Sequence, residues 1–217
     1  MIFNTAAAFE SEKERNLYYK FFAGFFFNEL VPGYEKRVQA FYNFMFSVPA
    51  KHCYGPPFKM PTDTKTFPNA LSVTFDYHGY LLNEKCNRGE LADILIHDQT
   101  NGLVFAIEAK FLSDWSFSKD VEGNTKRIEL SGIKQGCKEV YQVLLITRSK
   151  LSEVEKKEHV LRSSLAKLNP NESFPYPFKI ITWQDLISLC GNEKVEKYFE
   201  EHVKKNRKSF RSKKSSS

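Results

Sequence analysis

The sequence predicts an α/β protein built on a mixed central β-sheet flanked by helices. Three observations lead there. Two aromatic-rich helical runs open the chain. Two strand-like runs, "ELADILIHD" and "LVFAIEAKF", are separated only by "QTNG", a hairpin signal. After them, helical patterns alternate with the apolar runs "YQVLLIT" and "FKIITW", as expected of strands covered on both faces. The length of 217 residues, 41% of them hydrophobic, suits one α/β domain with additions and a sizeable core.

The elements follow in chain order. Residues 6–30 read as a helix with Phe9, Leu17, Phe21 and Phe25 on a crowded aromatic face, stopped by "VPG" at 31–33. "YEKRVQAFYNFMFSV" is a second helix, with Val38, Phe41, Phe44 and Met45 along one side. A long Pro-rich connection, "PAKHCYGPPFKMPTDTKTFPN", comes next, then a loosely alternating strand, "ALSVTFDYHGYLL". Beyond the hairpin, residues 112–126 read as polar and irregular, and "KRIELSGIKQGCKEV" as helical despite Gly132 and Gly136. Each glycine costs such a helix roughly 1 kcal/mol against Ala; close packing on the sheet would explain them. "LSEVEKKEHVLRSSLAKLNP" is an amphipathic helix capped by Ser152 and Glu155. Thr182 caps the short helix "WQDLISLC", which Gly191 closes, and a charged helix covers about 192–205. Trp115 and Trp183 read as core.

Charge and cysteine usage narrow the function classes. The net charge of +6 resides in the tail, 204–217, which holds seven basic residues and no acid. Removing those seven from the 32 basic residues leaves 25 against 26 acidic ones. The tail reads as solvated and disordered; such an end also binds nucleic-acid phosphate without sequence preference. Cys53, Cys86, Cys137 and Cys190 are scattered, with no zinc-ligand spacing, which suits free thiols in a reducing cytoplasm. No run of 18 apolar residues predicts a membrane span, and the start lacks the pattern of a secretory signal.

The chemistry lies in the hairpin. Glu108 and Lys110 alternate inside an apolar strand and so share one face. A four-residue Gln99–Gly102 loop pairs Asp98 with Leu103 and sets Asp93 opposite Glu108. A two-residue Asn101-Gly102 turn sets Asp93 opposite Lys110 instead. Either register puts Asp93, Glu108 and Lys110 on one face. Burying such a triad for stability alone is a poor strategy, because desolvation commonly cancels the attraction. Two close carboxylates repel unless a proton or cation lies between them, and their hard oxygens suit Mg²⁺ or Mn²⁺. Metal, carboxylates and lysine together suit attack on a phosphodiester.

Asp93, with Glu108-x-Lys110 in "IEAK" fifteen residues on, resembles the PD-(D/E)xK (restriction-endonuclease-like) nuclease superfamily. "KIITWQDLISL" resembles its late strand–helix. Ala92 stands where the motif's proline would be. A second ExK match, "EKK" at 155–157, lies on a charged helix without a paired aspartate. The resemblance implies an αβββαβ core with N-terminal helices and a C-terminal helical extension, forming a single nuclease domain over 1–203. It implies that Asp93 and Glu108 bind one or two metal ions, that the Ala109 carbonyl completes the shell, and that Lys110 assists the attacking water. It further implies a helical glutamate, with Glu14 first choice and Glu35 second, and a polar residue on the later helix, Gln135. Glu90 and His97 rank below these. The expected activity is a Mg²⁺-dependent endonuclease on DNA, held through the phosphate backbone and the basic tail. Cutting both strands would suit a homodimer. The alternatives are a nuclease-fold binding or assembly protein without cleavage, and a nuclease for RNA or structured junctions.

Overall fold

A computed structural model describes residues 21–22, 33–47, 52–54, 56–63, 71–78, 90–110, 117–151, 163, 176–189, 193, 196–197 and 199–201. The first-helix expectation (apart from Phe21 and Phe22), Glu14, Trp115, the Ser152–Glu155 cap, Gly191 and the tail lie outside the described residues.

Helix α1 spans Tyr34–Phe46 and begins after Gly33. The strands are β1 (Cys53–Tyr54), β2 (Leu71–His78), β3 (Glu90–Asp98), β4 (Leu103–Lys110), β5 (Glu139–Ile146) and β6 (Phe178–Thr182). They form a mixed six-stranded sheet in the order β1-β6-β5-β4-β3-β2. β2, β3 and β4 pair antiparallel, β4, β5 and β6 parallel, and β1 closes one edge antiparallel to β6. The mixed α/β class read from the sequence is therefore the observed one. β1 was not foreseen: its two residues lie in the Pro-rich connection, too short for any periodicity to register.

The hairpin adopts the four-residue loop, with Asp98 opposite Leu103 and Ile94 opposite Ile107. Asp98 decides this register. Its buried carboxylate accepts from the Asn101 backbone N–H at 3.0 Å, the Asn101 side-chain amide at 2.6 Å and the Tyr42 hydroxyl at 2.5 Å. The turn thereby closes on itself and on α1 at once. Gly102 takes φ 69°, and a Cβ there would come within 3.3 Å of the Lys138 backbone nitrogen, so the turn requires glycine.

One sheet face carries Ile94, Ile96, Phe105, Ile107, Tyr141, Val143 and Leu145, packed under Val38, Phe41, Tyr42 and Met45 of α1. The α1 stripe agrees with the sequence reading, although Phe44 lies at its margin and Tyr42 within it. Trp183 is fully buried, with ring centroids 6.2 Å from Phe21 and 6.1 Å from Phe199. Helix α3 (Trp183–Ser188) starts at the predicted cap, the Thr182 hydroxyl accepting from the Asp185 N–H at 3.2 Å.

The element covering the opposite face differs from the expectation. A π-helical turn, Phe117–Glu122, runs directly into α2, Gly123–Ser131. Gly132 at φ 69° then ends the helix in a left-handed cap, rather than packing closely on the sheet. Ile133–Gly136 is a 3-10 turn, and β5 has begun by Glu139. The helix thus lies earlier in the chain than its apolar pattern suggested. Val121 and Ile128 face the sheet, but Asp120 before Val121, and Glu122, Gly123 and Asn124 after it, read as a loop.

Candidate functional site

Alternation along β4 puts Val104, Ala106, Glu108 and Lys110 on the face covered by α2. The first two pack with Leu95, Ile128 and Val140 in a buried cluster. The last two emerge at the C-terminal end of the strand, 12% and 15% exposed. Parallel pairing of β4 with β5 makes this the end of the sheet where ligands of α/β proteins commonly bind.

Asp93 reaches the same place from β3. The strand pairing extends to Ile94 and Ile107, and one residue further the Asp93 carboxylate accepts from the Ala109 backbone N–H at 2.7 Å. That bond pins the carboxylate against β4. Lys110 Nζ donates to Glu108 Oε1 at 2.5 Å, and Asn124 donates its amide N–H to Glu108 Oε2 at 3.0 Å. Asp120 Oδ1 lies 3.4 Å from the same ammonium. Burial would lower the Lys110 pKa, but Glu108, Asp120 and Asp93 together outweigh it and hold the ammonium well above its usual range. Lys110 is therefore a persistent cation at neutral pH.

Asp120 and Asn124, 3% and 2% exposed, come from the covering helix and escaped the sequence reading. The available signal was their spacing of four residues, one helical turn, beside Val121, Thr125 and Ile128. Gln142 anchors this helix from below. It is buried in β5, donates to the Val121 carbonyl at 3.0 Å and accepts from the Thr125 hydroxyl at 2.9 Å.

The structure thus brings together Asp93, Glu108, Ala109 and Lys110. It does not bring Gln135 to them. Gln135 is exposed on the 3-10 turn leading into β5, at the end where Glu139 pairs with Leu103. Five residues of strand, roughly 16 Å, separate that end from Glu108. The helix expected to carry Gln135 has already ended at Gly132, which is the reason for the correction. Glu35 is exposed in the first turn of α1. His97 is half-buried opposite Val104, towards the hairpin turn. Glu90 begins β3.

The donors fit a divalent cation by chemistry. Asp93, Glu108 and Asp120 offer carboxylate oxygens, and Asn124 Oδ1 is a buried oxygen with no hydrogen-bond partner. Their arrangement is that of an ion pair: among the described residues no three His, Cys, Asp or Glu side chains gather as a metal cage, and Lys110 bridges Glu108 and Asp120. Cys53 and Cys137 are free thiols, and no helix among the described residues is long and apolar enough to cross a membrane. Comparison with family models, curated proteins and solved structures finds no match.

Proposed function

We propose that the protein is a metal-dependent endonuclease of the PD-(D/E)xK type that hydrolyses phosphodiester bonds of DNA. The observation that carries this reading is the meeting of Asp93, Glu108 and Lys110 at the C-terminal end of β4. The succession of α1, antiparallel β2–β3–β4, α2 and parallel β5 supports it, because it matches the αβββαβ order.

Asp93, Glu108 and the Ala109 carbonyl would hold Mg²⁺ or Mn²⁺. Such an ion, when bound, polarises a phosphate oxygen and makes hydroxide available at neutral pH. The chain's own residues do the rest. The Ala109 N–H fixes the Asp93 carboxylate, and Asn124 fixes that of Glu108. Lys110, kept protonated by its carboxylate neighbours, serves as a hydrogen-bond donor and a positive charge, not as a base. It balances the charge that develops on the phosphoryl oxygens and orients the attacking water. The basic tail adds salt-sensitive affinity for the DNA backbone.

A second reading has its own observation: both Glu108 oxygens are already bonded, to Lys110 and to Asn124. A cluster satisfied internally suits a nuclease-fold protein that binds nucleic acid or an assembly without cutting. Cleavage assays with Mg²⁺ on plasmid, single-stranded DNA, RNA and branched substrates separate the readings. Wild type should cut, and Asp93→Ala and Lys110→Ala should each lose about 100-fold or more. Equal activity of all three proteins would sink the nuclease reading; cutting confined to RNA or branches would reassign the substrate.

A further inference from the structure

We propose that Asp120 is a positioning residue: a second seat for the Lys110 ammonium, taken when Glu108 turns to a divalent cation. The inference rests on the metal-dependent reading above. Lys110 Nζ lies 2.5 Å from Glu108 Oε1 and 3.4 Å from Asp120 Oδ1, so the transfer needs only a short swing of a flexible side chain. An ammonium and a divalent ion repel each other at one carboxylate, so metal binding at Glu108 weakens the hold of that carboxylate on the lysine and favours its displacement. A displaced ammonium that remains buried needs another anion. Asp93 is poorly placed to serve, since its Oδ2 holds the Ala109 N–H and the same carboxylate would ligate the ion. Asp120 is buried and projects from a different element, the π-helical turn that Gln142 anchors to β5 through Val121. Asn124, one helical turn on, supplies the independent sign that the cluster accepts a further group. Its amide N–H holds Glu108, while Oδ1 of that amide is buried without a hydrogen-bond partner, an oxygen that a cation or its hydration water would satisfy.

In this arrangement Lys110 protects the site from carboxylate repulsion before the ion arrives, and stays beside it afterwards. Calorimetry with Mn²⁺ alone, on the full chain, reads this without any cleavage. Asp120→Asn, close in shape, should weaken Mn²⁺ binding about tenfold, because Lys110 then stays on Glu108 and competes. Asp120→Glu, which keeps the charge, should bind within about threefold of wild type. In a Lys110→Met background, Asp120→Asn should change affinity by less than about twofold, the competitor being gone. An equal loss with and without Lys110 would make Asp120 a direct contributor to ion binding and overturn the proposal. So would wild-type affinity in Asp120→Asn, or a loss in Asp120→Glu as large as in Asp120→Asn; each leaves the metal-dependent reading standing. Absence of Mn²⁺ binding by wild type would overturn both.

Discussion

Lys110 and Lys179 stand on neighbouring parts of one sheet, both largely buried, on opposite faces. Lys110 sits among Glu108, Asp120 and Asp93. Lys179, 4% exposed, donates to the Phe44 and Met45 carbonyls at 3.0 and 3.2 Å, at the C-terminal end of α1. Its ammonium also lies 5.1 and 5.6 Å from the ring centroids of Phe44 and Phe58. That is a helix cap with cation–π support, assembled from neutral groups. Burial lowers the Lys179 pKa, and Cys53 offsets this only in part. For Lys110, burial acts in the same direction and the carboxylates win. The contrast teaches that burial of a lysine does not by itself mark a site. What sets Lys110 apart is its company of carboxylates at the C-terminal end of β4, the feature on which the nuclease proposal rests.

The contrast can be broken at its strongest point. Lys110→Met should abolish cleavage, by about 100-fold or more, while leaving the fold intact. Lys179→Met should do the reverse: kcat is retained, and urea unfolding shows a loss of about 1–3 kcal/mol, because the Met45 carbonyl loses this donor. Cleavage lost equally in both variants would erase the distinction.

A smaller effect tests whether the site depends on what lies beneath it. Gln142→Leu removes the amide that ties Val121 and Thr125 to β5. Unfolding stability should fall by about 1–2 kcal/mol, with activity reduced but not abolished. Unchanged stability would show that the covering helix is held by its apolar contacts alone.

The smallest effect is a difference in sign. The folded-state pKa of Lys179 lies below its ordinary value of 10.5. The folded chain therefore releases this proton more readily than the unfolded one, and stability rises as pH climbs through the folded pKa towards 10.5. The folded-state pKa of Lys110 lies above 10.5, so its contribution is complete below 10.5 and is lost only above it, as pH passes through the folded value. Urea midpoints measured against pH should show a rising component that vanishes in Lys179→Met and persists in Lys110→Met. A Cys53→Ser background removes the thiol that pairs across from Lys179. A rise that survives Lys179→Met would contradict the assignment.

What was legible in the chain had a local cause. Strand alternation alone put Glu108 and Lys110 together, and either plausible turn added Asp93. The α1 stripe and the Thr182 cap were readable because periodicity and capping act within one or two turns. Asp120 and Asn124 carried only a four-residue spacing and Gln142 no signal at all, and that spacing gains meaning only from which face of the sheet α2 covers. Gln135 misled for the same reason: its pattern looked helical, but Gly132 had already turned the chain away. The sequence by itself determined an α/β class and a triad on one face. Tertiary structure added the Tyr42 hydroxyl to a hairpin turn that Asp98 and Asn101 close locally, and decided the identity of the residues that meet Lys110. Local rules act over a few residues, whereas ion pairs form between whatever side chains packing brings within a few ångströms.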